Sequence, residues 1–146
     1  MMKPIVMVSD FGIGGQGIPA LKGVCKCVDP ALQLFDLCHA IPPMDAEAAA
    51  EMIAANLSAW PENAVFVSAV DPGYMPGRAV CAYRLAGGQT IVAPVKDAFE
   101  RIIKAKLDVA QVDDVTADSA AYAATQNAGA LHGRDLAYCA AKLACK

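Results

Sequence analysis

The run Ile5-Val6-Met7-Val8, followed at once by Ser9-Asp10-Phe11-Gly12, sets the fold class. Four apolar residues with no polar alternation suit a strand covered on both faces. The polar, glycine-ended turn suits the point where such a strand leaves its sheet. Working outward, residues 32–37 and 64–70 read as strands of the same buried kind. Each also ends in polar residues, Asp36 to His39 after the second and Asp71-Pro72-Gly73 after the third. Ligands of open α/β sheets gather at the carboxyl ends of parallel strands, so these three clusters mark one candidate site.

Helical patterns fall between the strands. Residues 45–60 carry Ala, Met, Ile and Leu at helical spacing, with Asp45 as N-cap, Pro42-Pro43 before and Pro61 after. Residues 79–85 and 90–93 flank Gly87-Gly88, a hairpin signal. Residues 97–106 form an amphipathic helix with Phe99, Ile102 and Ile103 on one side, and residues 109–115 a short strand. A last helix over 134–145 carries the stripe Leu136, Ala140, Leu143 and Ala144. This alternation predicts an α/β protein: a three-layer sandwich on a mostly parallel sheet, forming one domain over residues 1–146.

At 56% hydrophobic and 18% charged residues, the chain is greasier than a monomer of its size needs. The surplus predicts a homo-oligomer. No apolar run approaches the roughly 20 residues of a membrane span, and the first run meets Ser9-Asp10 too early for a signal peptide. A cytoplasmic protein with no membrane partner is therefore expected. The net charge of -3, with Lys and Arg scattered, argues against nucleic acid as a partner. The six cysteines read as free thiols acting mostly as small apolar fillers. Cys25-x-Cys27 has the wrong spacing for a zinc knuckle or a redox pair, so no metal is expected.

Gly12-Ile13-Gly14-Gly15-Gln16-Gly17 spells GxGxxG after the first strand, and Asp36 follows where a dinucleotide fold places its ribose acid. That pattern alone suggests an NAD-binding oxidoreductase. Asp10 would repel a diphosphate there, and Pro19 is expected to delay the helix beyond the last glycine.

A second set of residues carries more. Ser9-Asp10-Phe11-Gly12, Leu21-Lys22-Gly23, Asp29-Pro30, Asp36-Leu37-Cys38-His39, Ile41-Pro42-Pro43, Val70-Asp71-Pro72-Gly73, Arg78 and His132-Gly133-Arg134-Asp135 occur in order. The chain so resembles the S-adenosylmethionine (SAM) hydroxide adenosyltransferases, or SAM hydrolases, relatives of the SAM-dependent fluorinase and chlorinase. The likeness runs from the first strand to the last helix. It covers the family's Rossmann-like N-terminal domain; the family's C-terminal β-barrel has no counterpart in these residues.

The resemblance implies attack of water on C5′ of SAM, giving adenosine and L-methionine, with SAM as substrate, no cofactor, and a trimer with sites between subunits. It implies that Asp71 orients and deprotonates the water, Arg78 stabilises the oxygen anion and His132 completes the hydrogen bonding. Asp10 matches the acid that binds the ribose hydroxyls, and Phe11, Gly12 and Tyr74 are the further substrate-binding candidates. A water-activating trio is sensible chemistry here. The sulfonium leaves as neutral methionine, so only nucleophile activation and placement are demanded.

The chain also departs from the family. Gly15 stands where an acid contacts the methionine part, Pro94-Val95-Lys96-Asp97 replaces a Pro-Asp-Asn-Gly turn, and Tyr74-Met75-Pro76 replaces a run of small residues. These losses keep a non-catalytic nucleoside-binding or assembly module as the alternative. Taken singly, Asp71-Pro72-Gly73 reads as a plain turn and Arg78 as a surface charge. His132 and Asp135 read as helix-terminus residues, and His39 as a structural hydrogen-bonder.

Overall fold

In the computed structural model, which describes residues 2–14, 16–73, 77–126 and 132–146, strands and helices alternate along the chain. The order is β1 (Ile5–Ser9), α1 (Gly17–Val28), β2 (Leu34–Cys38), α2 (Ala46–Asn56) with a 3-10 turn (Leu57–Ala59), β3 (Val65–Ala69), β4 (Val80–Leu85) and β5 (Thr90–Pro94). Then come α3 (Asp97–Lys106), β6 (Val109–Asp114), α4 (Thr116–Ala124) and α5 (Arg134–Ala144).

The strands form one sheet in the order β2-β1-β3-β5-β4-β6. β1 pairs in parallel with β2 and β3, and β3 with β5. β4 runs antiparallel to both β5 and β6, so the sheet is mixed, with its parallel part around β1 and β3. The antiparallel strand follows from the Gly87-Gly88 hairpin, since a short turn can only reverse the chain.

Period-2 alternation sends neighbouring side chains to opposite faces. Ile5 and Met7 of β1 join Val65, Val67, Leu21 and Leu136 on the face covered by α1 and α5. Val6 and Val8 join Phe66, Ile53, Phe99 and Ile103 on the face covered by α2 and α3. Each such large side chain, taken wholly from water, contributes about 1.5–3 kcal/mol, which is why β1 reads as an unbroken apolar run.

Asp45 caps α2 as expected, its Oδ1 accepting the Ala48 N–H at 2.9 Å. Three expectations need correction. β2 lies at the sheet edge with Phe35 and Asp36 exposed, so it is not covered on both faces. α1 begins at Gly17, so Pro19 sits in its first turn without delaying it. The N–H that proline lacks has no intrahelical partner there in any case. Residues 116–124, unassigned from the sequence, form α4; its run of small residues carries no apolar stripe, and it is held to α5 by Tyr122 on Tyr138, ring centroids 5.2 Å apart.

The six cysteines are free; Cys25, Cys81 and Cys139 are buried fillers, while Cys27 and Cys145 are exposed. Among the described residues no helix is long and apolar enough to cross a membrane.

Candidate active site

β1 and β3 are neighbours, so the acids that follow them, Asp10 and Asp71, emerge side by side. Asp10 Oδ2 accepts two backbone N–H groups, from Met44 at 2.8 Å and from Asp71 at 3.0 Å. One carboxylate oxygen thereby ties together the loops that leave β1, β2 and β3. Asp71 has φ 49°, in the left-handed region that non-glycine residues seldom adopt. Its Oδ2 accepts from Lys96 Nζ at 2.9 Å.

Asp10, Phe11, Met44, Asp71, Gly73 and His132 line a cavity of about 400 Å³ at this edge. His132 (φ 48°) and Gly133 (φ 80°) make a left-handed turn before α5. Glycine is strongly favoured at 133, since its backbone is left-handed and a Cβ there would crowd Ala69 Cβ at 3.1 Å and touch Phe11 and Pro72 at 3.5 Å. That close approach delivers His132 to the cavity. A second cavity of about 370 Å³ shares Phe11 and His132 and is otherwise lined by Gln16, Gly17 and Arg134.

Arg78 lies just behind the first cavity. Its Cδ is 3.4 Å from where a Gly73 Cβ would be, but both terminal nitrogens go to Asp135. Nη2 meets Oδ1 at 3.0 Å, and Nη1 meets Oδ2. Asp135 is fully buried and also accepts from Ser119 Oγ. It is therefore the partner of Arg78 as well as an acid in the first turn of α5, whose N-cap is Gly133. Arg78 is no solvated surface charge.

Of the residues singled out from the sequence, the structure brings Asp71, His132, Asp10 and Phe11 to one cavity and sets Arg78 against its Gly73 wall. Gly12 (φ 82°) turns the chain after Phe11, its N–H donating to the His39 carbonyl at 2.9 Å. Tyr74 and Gly15 lie outside the described residues. Lys96, read from the sequence only as a departure, proves to be the cation in contact with Asp71.

The dinucleotide reading loses its two supports. The Phe11 ring lies over Gly17, where a Cβ would come within 2.5 Å of it, so this glycine accommodates a side chain at the start of α1. Asp36 is already engaged, by Lys22 at 2.7 Å and by His39 Nε2 at 2.7 Å. Burial alone would raise the Asp36 carboxyl, but its bonds to His39 and Lys22 outweigh that and hold it below its ordinary value.

His39 Nδ1 is in turn 2.6 Å from Ser9 Oγ. Ser9 is fully buried, so this Ser-His-Asp chain is no nucleophile constellation but a brace between β1 and β2. Among the described residues, no group of three or more His, Cys, Asp or Glu is placed to hold a metal ion.

Residues 5–146 match the model of the SAM hydroxide adenosyltransferase N-terminal domain. The (R)-S-adenosyl-L-methionine hydrolase of Thermus thermophilus is 36% identical over 98 residues, 67% of this chain and 38% of that one. The enzyme of the same name from Salinispora tropica is 29% identical over 147 residues, 96% of this chain and 52% of that one. A solved structure of a conserved protein from Thermotoga maritima superimposes with TM-score 0.81 at 24% identity, over 97% of this chain and 53% of that one, and shows the same fold. The chain spans about half or less of the length of the curated relatives it matches. On this match, which covers nearly its whole length, the chain belongs to the SAM hydroxide adenosyltransferase family, in the part that corresponds to the family's N-terminal domain.

Proposed function

We propose that this protein hydrolyses SAM at the ribose C5′, releasing adenosine and L-methionine. The observation that carries the reading is the placement of Asp71 and His132 on one cavity, with Asp10 beside them, at the carboxyl ends of adjacent parallel strands. In this reading a water held between Asp71 and His132 gives a proton to the Asp71 carboxylate as its oxygen attacks C5′. The C5′–S bond breaks, and its electron pair stays on sulfur, turning the sulfonium into the neutral thioether of methionine. The oxygen and remaining hydrogen become the 5′-hydroxyl of adenosine. No acid is needed for the leaving group, so the protein's contribution is placement and a positioned base.

Asp10 uses Oδ2 for the loops, and its carboxylate is the group offered to the ribose hydroxyls. Phe11 supplies an apolar wall, and Arg78 supports the Gly73 side of the cavity. Ile13, Met44 and Val95 are exposed apolar residues on loops at this end of the sheet. We take them as the rim that a second copy covers, in a homo-oligomer whose favoured form is a trimer.

The test is incubation with SAM in oxygen-18 water, followed by chromatography and mass spectrometry. The reading requires adenosine and methionine in equal amounts, with the label in the adenosine 5′-hydroxyl. Adenosine binding without turnover would point instead to a nucleoside-binding module. Neither binding nor product would remove both readings.

A further inference from the structure

Lys96 is the N-cap of α3, with extended backbone (φ -136°, ψ 125°) and no side-chain bond to the helix end. Lysine is a poor residue for that place. N-caps favour Ser, Thr, Asp or Asn, whose oxygen accepts a free N–H, and the positive end of the helix dipole disfavours a cation. The rest of α3 follows the rules, with Asp97 and Glu100 in its first turn and Lys104 and Lys106 in its last. The one local misfit points its ammonium at Asp71, 25 residues away in sequence. Such departures from local preference gather where function sets the residue. Arg78 does not fill this place, because Asp135 takes both its terminal nitrogens and balances its charge.

We propose that Lys96 is a positioning residue for the base, a role that rests on the hydrolase reading above. The Asp71 backbone N–H is fixed by Asp10 and its Oδ2 by Lys96. With both ends of the residue held, the carboxylate is restrained at the cavity that Asp71 lines, where the proposed water would meet its second oxygen. Lys96 thus does for Asp71 what a base-orienting partner does in any general-base pair: it holds one carboxylate oxygen so that the other meets the proton of the attacking water.

The experiment compares wild type, Lys96→Ser and Lys96→Arg for SAM turnover and for melting temperature. Serine repairs the N-cap, and a half-exposed ion pair adds little to stability, so the melting temperature of Lys96→Ser should hold or rise. Its kcat should nevertheless fall roughly 10²-fold, the effect of misplacing a reacting group by about 1 Å, with KM little changed. Lys96→Arg should recover most of the rate. A wild-type kcat in Lys96→Ser would overturn the positioning role and leave the hydrolase reading standing. A fall in kcat that tracks a fall in melting temperature would also overturn it, in favour of a purely structural pair. An inactive wild type would overturn the hydrolase reading itself, and this role with it.

Discussion

Asp10 grips Asp71 through the main chain: its Oδ2 accepts the Asp71 N–H at 3.0 Å while also holding Met44 at 2.8 Å. The acid proposed to meet the ribose is thus also the brace that keeps the base in its left-handed conformation. Hydrogen bonds to a charged acceptor contribute about 1.5–3 kcal/mol each. Because the Met44 contact is solvent-exposed, the two bonds together fall short of that sum, and Asp10→Ala should lower unfolding free energy by about 2 kcal/mol in a urea titration and abolish adenosine binding by calorimetry. Asp10→Asn keeps an acceptor oxygen and should remain near wild-type stability. Equal stability of Asp10→Ala and wild type would mean that the two contacts hold nothing.

Arg78 and Asp135 form a buried pair, with Ser119 as the third member. Removing one partner of such a pair typically costs about 3–5 kcal/mol, because the other charge is left buried and alone. Arg78→Met should lose stability on that scale, and SAM turnover with it. The double variant Arg78→Met with Asp135→Leu should regain much of the stability but not the turnover. Additive losses in the double variant would show that the two side chains do not depend on each other.

Gly133 carries φ 80° and faces Ala69 across a gap a methyl group would crowd. Gly133→Ala should cost about 1–2 kcal/mol from the left-handed backbone alone, and it should lower turnover because His132 is the next residue. A variant with wild-type stability and rate would show that this turn does not set the histidine.

Burial pushes the Cys25 and Cys139 thiols up from 9.0 to about 12. At pH 8 only about one such thiol in ten thousand is thiolate. Iodoacetamide should modify exposed Cys27 and Cys145 quickly and leave Cys25 and Cys139 untouched until the protein unfolds. Because folding favours the protonated thiol, this contribution to stability is complete below pH 9 and is lost as pH rises from 9 toward 12. Unfolding free energy should fall over that window, and less steeply in a Cys25→Ala, Cys139→Ala variant. Identical slopes would contradict the assignment.

Much of this architecture was legible in the residues. β1, β3 and α3 announce themselves because apolar runs and helical spacing are local, while Asp45 and Pro61 bracket α2 and Gly87-Gly88 marks the β4–β5 hairpin. The edge position of β2 was not legible, since strand order is a property of the whole sheet. α4 is not legible either, because its alanines carry no stripe. At the site, the acids at the strand ends could be read from their places alone. Lys96 on Asp71 and Arg78 on Asp135 join residues 25 and 57 apart, and no local pattern encodes such pairs. The signal that could have found Lys96 is the cation at a helix N-cap.

The central claim is that Asp71 is the base for water attacking C5′ of SAM. It is tested most directly by the rate of adenosine release from SAM in wild type and in Asp71→Asn, which keeps the side-chain shape. The loss of a positioned base should slow release by about 10²–10⁴-fold, with adenosine still binding. Equal rates in the two proteins would contradict the account.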